Sequence, residues 1–160
     1  PTRPVHENVR LAVQPAAGRG WDLWQIWSSE RELVEAADAI LADIALAARR
    51  DVLAAELSHG DQRKLEVAIL IALQPKVFMF DEPTAGMSVD EAPVILDLIA
   101  RIKQQRDKTI VLVEHKLDVV RSLADRIVVL HQGELVADGE PAEVMSSRVV
   151  QEAYLGGAAA

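Results

Sequence analysis

The residues of this sequence best suited to chemistry are polar side chains that directly follow short apolar runs. Asp81 and Glu82 come straight after the run at residues 77–80. His115 comes two residues after a second run, at 109–113, with another acid between. Carboxylates can hold a metal ion or polarise water, and an imidazole can orient or transfer a proton. The plainer interpretation is that strand ends reach solvent, where charged side chains cost little.

A third candidate lies upstream, in the stretch "LSHGDQ" at residues 57–62. Ser58 is suited to cap a helix that begins here, and Gly60 lets backbone N–H groups approach a ligand at the positive end of the helix dipole. Such a helix start suits a phosphate. An ordinary cap with Asp61 in the first turn explains the same residues, and the stretch taken alone favours that simpler interpretation.

The spacing of apolar residues and the positions of proline, glycine and capping residues predict the elements that position these groups. The first three predicted elements are helices: one at about 5–13, one from a Ser29–Glu32 capping box to Ala48, and one at 60–73. A strand at 77–81 follows, then a helix capped by Asp90 with Pro93 in its first turn, and a second strand at 109–113. The last elements are a short helix at 118–124, a hairpin of 127–130 with 135–137, and a final helix that begins at Pro141.

Two strands that are apolar on both faces and alternate with helices predict an α/β fold with a parallel sheet covered on both sides. Ligands of such sheets gather at the carboxyl ends of the strands. We therefore expect Asp81, Glu82 and His115 to be held rigidly and to face one cleft. Residues 1–74 are predicted to form a helical lobe and residues 75–160 part of an α/β core.

Composition narrows the function classes. The chain has 160 residues, half of them hydrophobic, and a net charge of −8, which argues against a general binder of nucleic-acid backbone. It has no cysteine, which excludes disulfides and thiol catalysis. No apolar run reaches the roughly 20 residues of a membrane span and no signal pattern opens the chain, so a cytoplasmic protein is expected.

The order and intervals of "LSHGDQ", "VFMFDEP" and "TIVLVEH" resemble the ATP-binding-cassette (ABC) ATPases, in which these segments are the signature, the Walker B strand and the switch histidine. The resemblance is specific over residues 57–140 and looser over the rest of the chain. His59, "DEPTAGM", "LVEHKLDVV", "LHQGELVADGEP" and "AYLGG" resemble the ATPases of bacterial branched-chain amino-acid importers in particular. It implies a partial P-loop NTPase-like parallel sheet flanked by helices, with an α-helical lobe at the N-terminus and a C-terminal hairpin and helix.

The resemblance also implies a role for each candidate residue, with ATP and Mg²⁺ as cofactors. Asp81 would hold Mg²⁺ through water, Glu82 would polarise the attacking water, and His115 would contact the γ-phosphate. The signature would reach the nucleotide bound to a second subunit, and Ser88 occupies the D-loop position where aspartate is usual. The residues of that signature are Ser58, His59, Gly60, Asp61 and Gln62.

The implied partners are a second ATPase subunit, identical or a paralogue, and transmembrane permease subunits, with no nucleic acid. The protein would be peripheral, on the cytoplasmic face of the inner membrane. Trp21, Trp24 and Trp27 lie three residues apart and could form a stripe towards the permease, although packing inside the helical lobe is the favoured interpretation.

The sequence departs from the family in one respect, because no glycine is followed by the lysine of a phosphate-binding loop. We therefore expect an amino-terminal truncation, weak MgATP binding and negligible hydrolysis by this chain alone, and association through a bared edge of the strand at 109–113. Two alternatives stay open: a non-catalytic interaction fragment, and a cassette ATPase outside transport, as in DNA repair. The second is disfavoured because no heptad run interrupts residues 14–57.

Overall fold

The structure, a computed structural model, describes residues 2–16 and 26–154, with the backbone alone at 26–30 and 153–154. Trp21 and Trp24 lie outside the described residues, as does the side chain of Trp27, so the predicted stripe stays a prediction. The helices are α1 (Val5–Ala16), α2 (Ile26–Asp43), α3 (His59–Ala72), α4 (Ala92–Lys103), α5 (Leu117–Leu123), α6 (Pro141–Ser146) and α7 (Arg148–Tyr154). The strands are β1 (Val77–Asp81), β2 (Thr109–Val113), β3 (Ile127–His131) and β4 (Glu134–Gly139).

The chain forms two compact units, residues 1–113 and 114–160. In the first unit α1 packs against both α2 and α3, and Val5, Val9 and Leu41 are completely buried among them. The predicted helix at residues 5–13 is present, but it extends three residues further, to Ala16, with Pro15 inside it. The predicted division of the chain at residues 74 and 75 stays a prediction.

Both predicted ends of α2 are wrong. The helix begins at Ile26, so Ser29 and Glu32 lie inside it and not at its start. It ends at Asp43, five residues before Ala48, because Ala45 adopts a left-handed conformation with φ 57°. The Leu46 N–H donates to the Leu41 carbonyl at 2.8 Å and the Ala45 N–H to that of Ala42 at 3.1 Å. These bonds form a Schellman motif, in which alanine occupies the left-handed position where glycine is usual.

Strands β1 and β2 have the predicted bounds and pair in parallel, with Val77 opposite Thr109 and Asp81 opposite Val113. Phe78 and Phe80 of β1 are buried, but Met79 between them is 72% exposed. Coverage on both faces was therefore a wrong prediction for this sheet within the described residues. One face packs into the core, and the other, which also carries Val111 and Val113, is exposed.

Helix α4 begins one residue later than predicted. Its N-cap is Glu91 rather than Asp90, and Pro93 lies in the first turn, where its missing N–H is harmless. The Glu91 side chain makes no capping hydrogen bond, because its carboxylate is engaged elsewhere in the first unit.

The second unit contains the predicted hairpin. β3 and β4 are antiparallel and are joined by Gln132 and Gly133, both left-handed with φ of 51° and 82°. Two left-handed central residues are typical of a type I′ turn, whose twist suits a hairpin. Pro141 begins α6 as predicted, but α6 is not the final helix, because α7 follows. The apolar core of this unit consists of Ile127, Val129, Val144 and Val150.

Within residues 2–16 and 26–154, no helix combines the length and the hydropathy that crossing a bilayer would require.

The alternation of buried and exposed side chains along β1 predicts a large effect on stability for one substitution and almost none for its neighbour. Phe80→Ala should lower the free energy of unfolding by about 3–5 kcal/mol, because it leaves a cavity in the core. Met79→Thr, a change on the exposed face that keeps strand propensity, should alter it by less than about 0.5 kcal/mol. Urea unfolding measures both, and a cost for Met79→Thr as large as that for Phe80→Ala would contradict the exposed face.

Candidate functional site

The candidate site is built at the carboxyl end of β1. Asp81 is the last residue of the strand and is exposed. The Glu82 N–H donates to the Val113 carbonyl at 2.9 Å, which extends the pairing of the two strands by one residue. Glu82 has φ 44°, in the left-handed region that non-glycine residues occupy at a cost of order 1–3 kcal/mol. The surrounding structure therefore holds a strained acidic residue beside a second acid.

The loop that follows, residues 82–91, is a series of tight turns. The Ala85 N–H donates to the Glu82 carbonyl at 2.9 Å, and the Glu91 N–H to the Ser88 carbonyl at 3.2 Å. Thr84, inside the first of these turns, is almost fully buried, and Gly86, between the two turns, has φ 72°, which favours glycine. The loop is thus a folded segment with a fixed path.

The predicted cap of α3 is confirmed. Ser58 is the N-cap, and its Oγ accepts a hydrogen bond from the Asp61 N–H at 3.2 Å. The Gln62 side-chain amide turns back and donates to the Leu57 carbonyl at 3.1 Å, which reinforces the entry into the helix. One turn on, Arg63 donates to the Asp81 carbonyl at 3.3 Å, so the helix also contacts the end of β1.

Gly60 lies directly against the end of the Glu91 side chain, a contact that the sequence did not suggest. A Cβ atom at this position would lie 2.7 Å from Oε2 of Glu91, so that carboxylate would have to shift to make room. A second close approach lies beside it, since a Cβ at Gly86 would lie 3.0 Å from Cδ2 of His59. The start of α3 and the loop at 82–91 therefore pack directly on each other at two points.

An ion cluster centred on Lys64 joins the same two segments. The Lys64 Nζ lies 3.0 Å from Oδ1 of Asp61 and 3.0 Å from Oε1 of Glu91. Only 9% of the Lys64 side chain is exposed. Burial disfavours its charged form, but the hydrogen bonds to the two carboxylates outweigh this and raise the pKa of Lys64 above its ordinary value. A buried ammonium ion needs such partners to be tolerated.

Glu91 completes the cluster from the loop side. Its Oε2 accepts hydrogen bonds from the Ser88 N–H at 3.1 Å and from the Ser88 hydroxyl at 2.9 Å. The bond from the Ser88 backbone and then that from Lys64 lower the pKa of Glu91 from 4.5 to about 2. Because the folded pKa lies below the ordinary value, the ionised carboxylate stabilises the fold above pH 4.5, and that contribution is lost as the pH falls towards 2.

The structure thus brings together four of the predicted site residues, Ser58, Gly60, Asp61 and Ser88, around Lys64 and Glu91. Asp81 and Glu82 lie at the other end of the same loop. His115 belongs to the second compact unit, two residues after β2, and its role stays a prediction. In the described part of the chain, no three acidic or imidazole side chains gather as a metal site.

Sequence reasoning missed Lys64 and Glu91 as members of the site. A signal for Lys64 was present, because it lies four residues after Gly60 and four before Ala68, on the buried face of α3. A lysine on such a face requires a carboxylate, and Asp61 three residues earlier supplies one. Nothing local marked Glu91, which is 27 residues away along the chain.

Comparison with known proteins gives two family matches. The family model described as "ABC transporter" matches residues 1–85. The family model described as "Branched-chain amino acid ATP-binding cassette transporter" matches residues 134–160.

Individual proteins and structures agree. The chain is 38% identical over 128 residues to the high-affinity branched-chain amino acid transport ATP-binding protein BraF of Pseudomonas aeruginosa, and 36% identical over 128 residues to LivG of Escherichia coli K12, which bears the same description. Each match covers 80% of this chain and 50% of the relative. Among solved structures, the ADP conformation of the ATP-binding cassette MJ1267 superposes with a TM-score of 0.68 at 28% identity, over 96% of this chain and 63% of that one.

The contact between Gly60 and Glu91 predicts that the cost of one substitution depends on its background. Gly60→Ala should destabilise the parent chain, because the new Cβ displaces the Glu91 carboxylate from Lys64 and Ser88. In a Glu91→Ala background the nearest atoms are absent, so the same change should cost about 0.5–3 kcal/mol less than in the parent. Unfolding by urea, followed by circular dichroism, measures all four variants.

Gly133→Ala serves as the matched control for glycine replacement. It lies in the hairpin turn with nothing within 4 Å of its would-be Cβ, and its strain from φ 82° should be the same in both backgrounds. If Gly60→Ala has the same effect whether or not Glu91 is present, the two residues do not contact each other as described.

Proposed function

The chain belongs to the ABC transporter family, and on this premise we propose that it forms part of the ATP-binding and ATP-hydrolysing subunit of a bacterial importer for branched-chain amino acids or a related solute. The observation that carries this proposal is the packing of the capped start of α3 against the loop that follows Asp81 and Glu82. The chain spans about half the length of the relatives it matches, so the activity belongs to the whole subunit.

The proposed solute follows from the relatives. BraF and LivG are described as high-affinity branched-chain amino acid transport ATP-binding proteins. The family model that matches residues 134–160 names branched-chain amino acids in its description. The model that matches residues 1–85, towards the other end of the chain, is described only as ABC transporter. Together the two matches support importer membership from separate segments.

Asp81 could supply one carboxylate ligand to Mg²⁺, which is as much as the proposal needs from the protein. It is an exposed carboxylate at the end of a strand whose backbone is fixed by the ladder and by Arg63. Mg²⁺ keeps several waters and takes one or two carboxylates together with substrate phosphates, so it does not need a cage of protein ligands. When bound with ATP, the ion would neutralise phosphate charge.

Glu82 is proposed to polarise the water that attacks the γ-phosphate. Its backbone N–H is bonded to β2 and its carbonyl accepts from Ala85, so both sides of the residue are fixed. A carboxylate held in this way needs little reorganisation during the reaction, which is how positioning lowers a barrier. His115 is proposed to contact the γ-phosphate.

The start of α3 is proposed to act on the nucleotide of a second ATPase subunit. Ser58 and the N–H groups of the first turn lie at the positive end of a helix of 14 residues, which suits a phosphate. The negative charge of Asp61 would oppose an anion there, but Lys64 lies 3.0 Å from it and compensates that charge. His59, Gly60 and Gln62 belong to the same proposed contact, and Ser88 lies beside it.

In the assembled importer, closure of two such subunits on ATP and their reopening after hydrolysis would move the permease subunits between two states. The subunit would be peripheral, on the cytoplasmic face of the inner membrane. A net charge of −8 supports protein partners over nucleic acid.

The test restores a full-length subunit by placing residues 1–160 in BraF, in place of the segment that they match, and compares this parent with Glu82→Gln. The change keeps the shape of the side chain and removes its charge. We expect kcat for ATP hydrolysis to fall by about 10²–10⁴-fold while the affinity for MgATP stays within about twofold. Phosphate release and nucleotide titration measure the two quantities.

Glu134→Gln is the matched control, because Glu134 is an exposed residue of the hairpin in the second unit and should leave kcat unchanged. If hydrolysis survives Glu82→Gln, the catalytic assignment fails. If the folded parent does not bind MgATP, the proposed function itself fails.

A further inference from the structure

Lys64 has no part in the proposed catalytic chemistry, yet it is buried and bonded to two carboxylates. It is one of two polar or charged side chains buried within the described residues, the other being Thr84. Its ammonium group lies 3.0 Å from a carboxylate of its own helix, that of Asp61, and 3.0 Å from Glu91, 27 residues further along the chain. A buried charge placed between two sequence-distant segments is costly to keep, so it calls for a role.

The role is indicated by what Glu91 does with its second oxygen. Oε1 accepts from Lys64, and Oε2 accepts from both the backbone and the hydroxyl of Ser88. One carboxylate therefore fixes the end of the loop at 82–91 and at the same time attaches it to α3. Any displacement of Lys64 is transmitted to Ser88 through a single side chain.

A steric contact acts beside the ion cluster. The Glu91 carboxylate lies against the face of Gly60 where another residue would carry its Cβ, and the His59 ring lies against the corresponding face of Gly86. Two missing side chains therefore let the segments approach, and Lys64 supplies the charge that holds them there. At its other end the loop is fixed by the hydrogen bond from Glu82 to Val113.

We propose that Lys64 is a positioning residue that couples the start of α3 to the loop at 82–91, so that the phosphate-contacting helix start and the acid pair Asp81 and Glu82 move as one body. This inference rests on the proposed function for the identity of the ligand. It assigns Lys64 no contact with the nucleotide. A change sensed at Ser58 or Ser88 reaches Glu82 through the loop that Lys64 fixes.

Three substitutions separate charge from volume. Lys64→Met fills nearly the same space without a charge and leaves the Asp61 and Glu91 carboxylates without the ammonium group between them, so the loop should move away from α3. Lys64→Arg keeps the charge and can reach both carboxylates. Glu91→Gln removes the charge from the loop side and keeps the fold testable if Lys64→Met does not fold.

The first measurement is amide hydrogen exchange on the 160-residue chain. In Lys64→Met and in Glu91→Gln, exchange at residues 59–62 and 84–91 should accelerate by about tenfold or more, while the β1 and β2 amides change by less than about twofold. Lys64→Arg should stay close to the parent. Lys76→Met, at an exposed lysine before β1, is the control and should change neither region.

The second measurement uses the restored parent described above, in which residues 1–160 replace the matching segment of BraF. Lys64→Met should lower kcat by about tenfold or more while the affinity for MgATP stays within about twofold, and Lys64→Arg should recover kcat to within about threefold of the parent. A purely structural lysine would instead reduce the folded fraction and leave kcat per folded molecule unchanged.

The two measurements keep the inference separate from the proposed function. If the restored parent neither binds nor hydrolyses ATP, the proposed function fails, and hydrogen exchange alone decides the coupling. The coupling is overturned if exchange rises equally across the first unit, if residues 84–91 do not respond, or if kcat is unaffected in an active parent.

Discussion

The arrangement of the candidate site depends on one constraint, the burial of the Lys64 ammonium group. A lysine that loses its water must find negative charge nearby, and here it finds one carboxylate on its own helix and one on a loop 27 residues further along. The ion pair with Asp61 is local and could form in an isolated helix. The ion pair with Glu91 can form only if the loop after β1 returns to the start of α3. The path of residues 82–91 is therefore set at its far end by a charge requirement.

Given that attachment, the unfavourable conformations in the loop become understandable. Glu82 and Gly86 both have positive φ, and Thr84 is buried within the turn formed by residues 82–85. Such a loop would be poorly populated if only one of its ends were held. The strand ladder holds the first end through the hydrogen bond from Glu82 to Val113, and Glu91 holds the second. The strain at Glu82 is thus supported from both sides, as expected where a side chain must be held for chemistry.

The features that could be predicted from the sequence were those with local causes. The bounds of β1 and β2, the cap at Ser58 and the start of α6 at Pro141 follow from short apolar runs, a capping hydroxyl and a proline. The predictions that failed lacked a local signal or had tertiary causes. Helix α2 ends at Asp43 in a Schellman motif whose left-handed residue, Ala45, is not the usual glycine, and α4 begins after Glu91 rather than after Asp90 while the Glu91 carboxylate is held by Lys64 and Ser88. The exposed face of β1 was missed because alternation in burial cannot be seen in a strand that is apolar throughout.

The most direct test of this account is the ionisation of Glu91 in the folded chain, followed by ¹³C NMR of its side-chain carboxyl between pH 7 and pH 1.5 and assigned by comparison with Glu91→Gln. Hydrogen bonds from Ser88 and Lys64 predict a pKa of about 2 for this group, so its resonance should scarcely shift above pH 4. A pKa near 4.5 would show that Glu91 is not held by Lys64 and Ser88, and the coupling of the helix start to the acid pair would then have no physical basis.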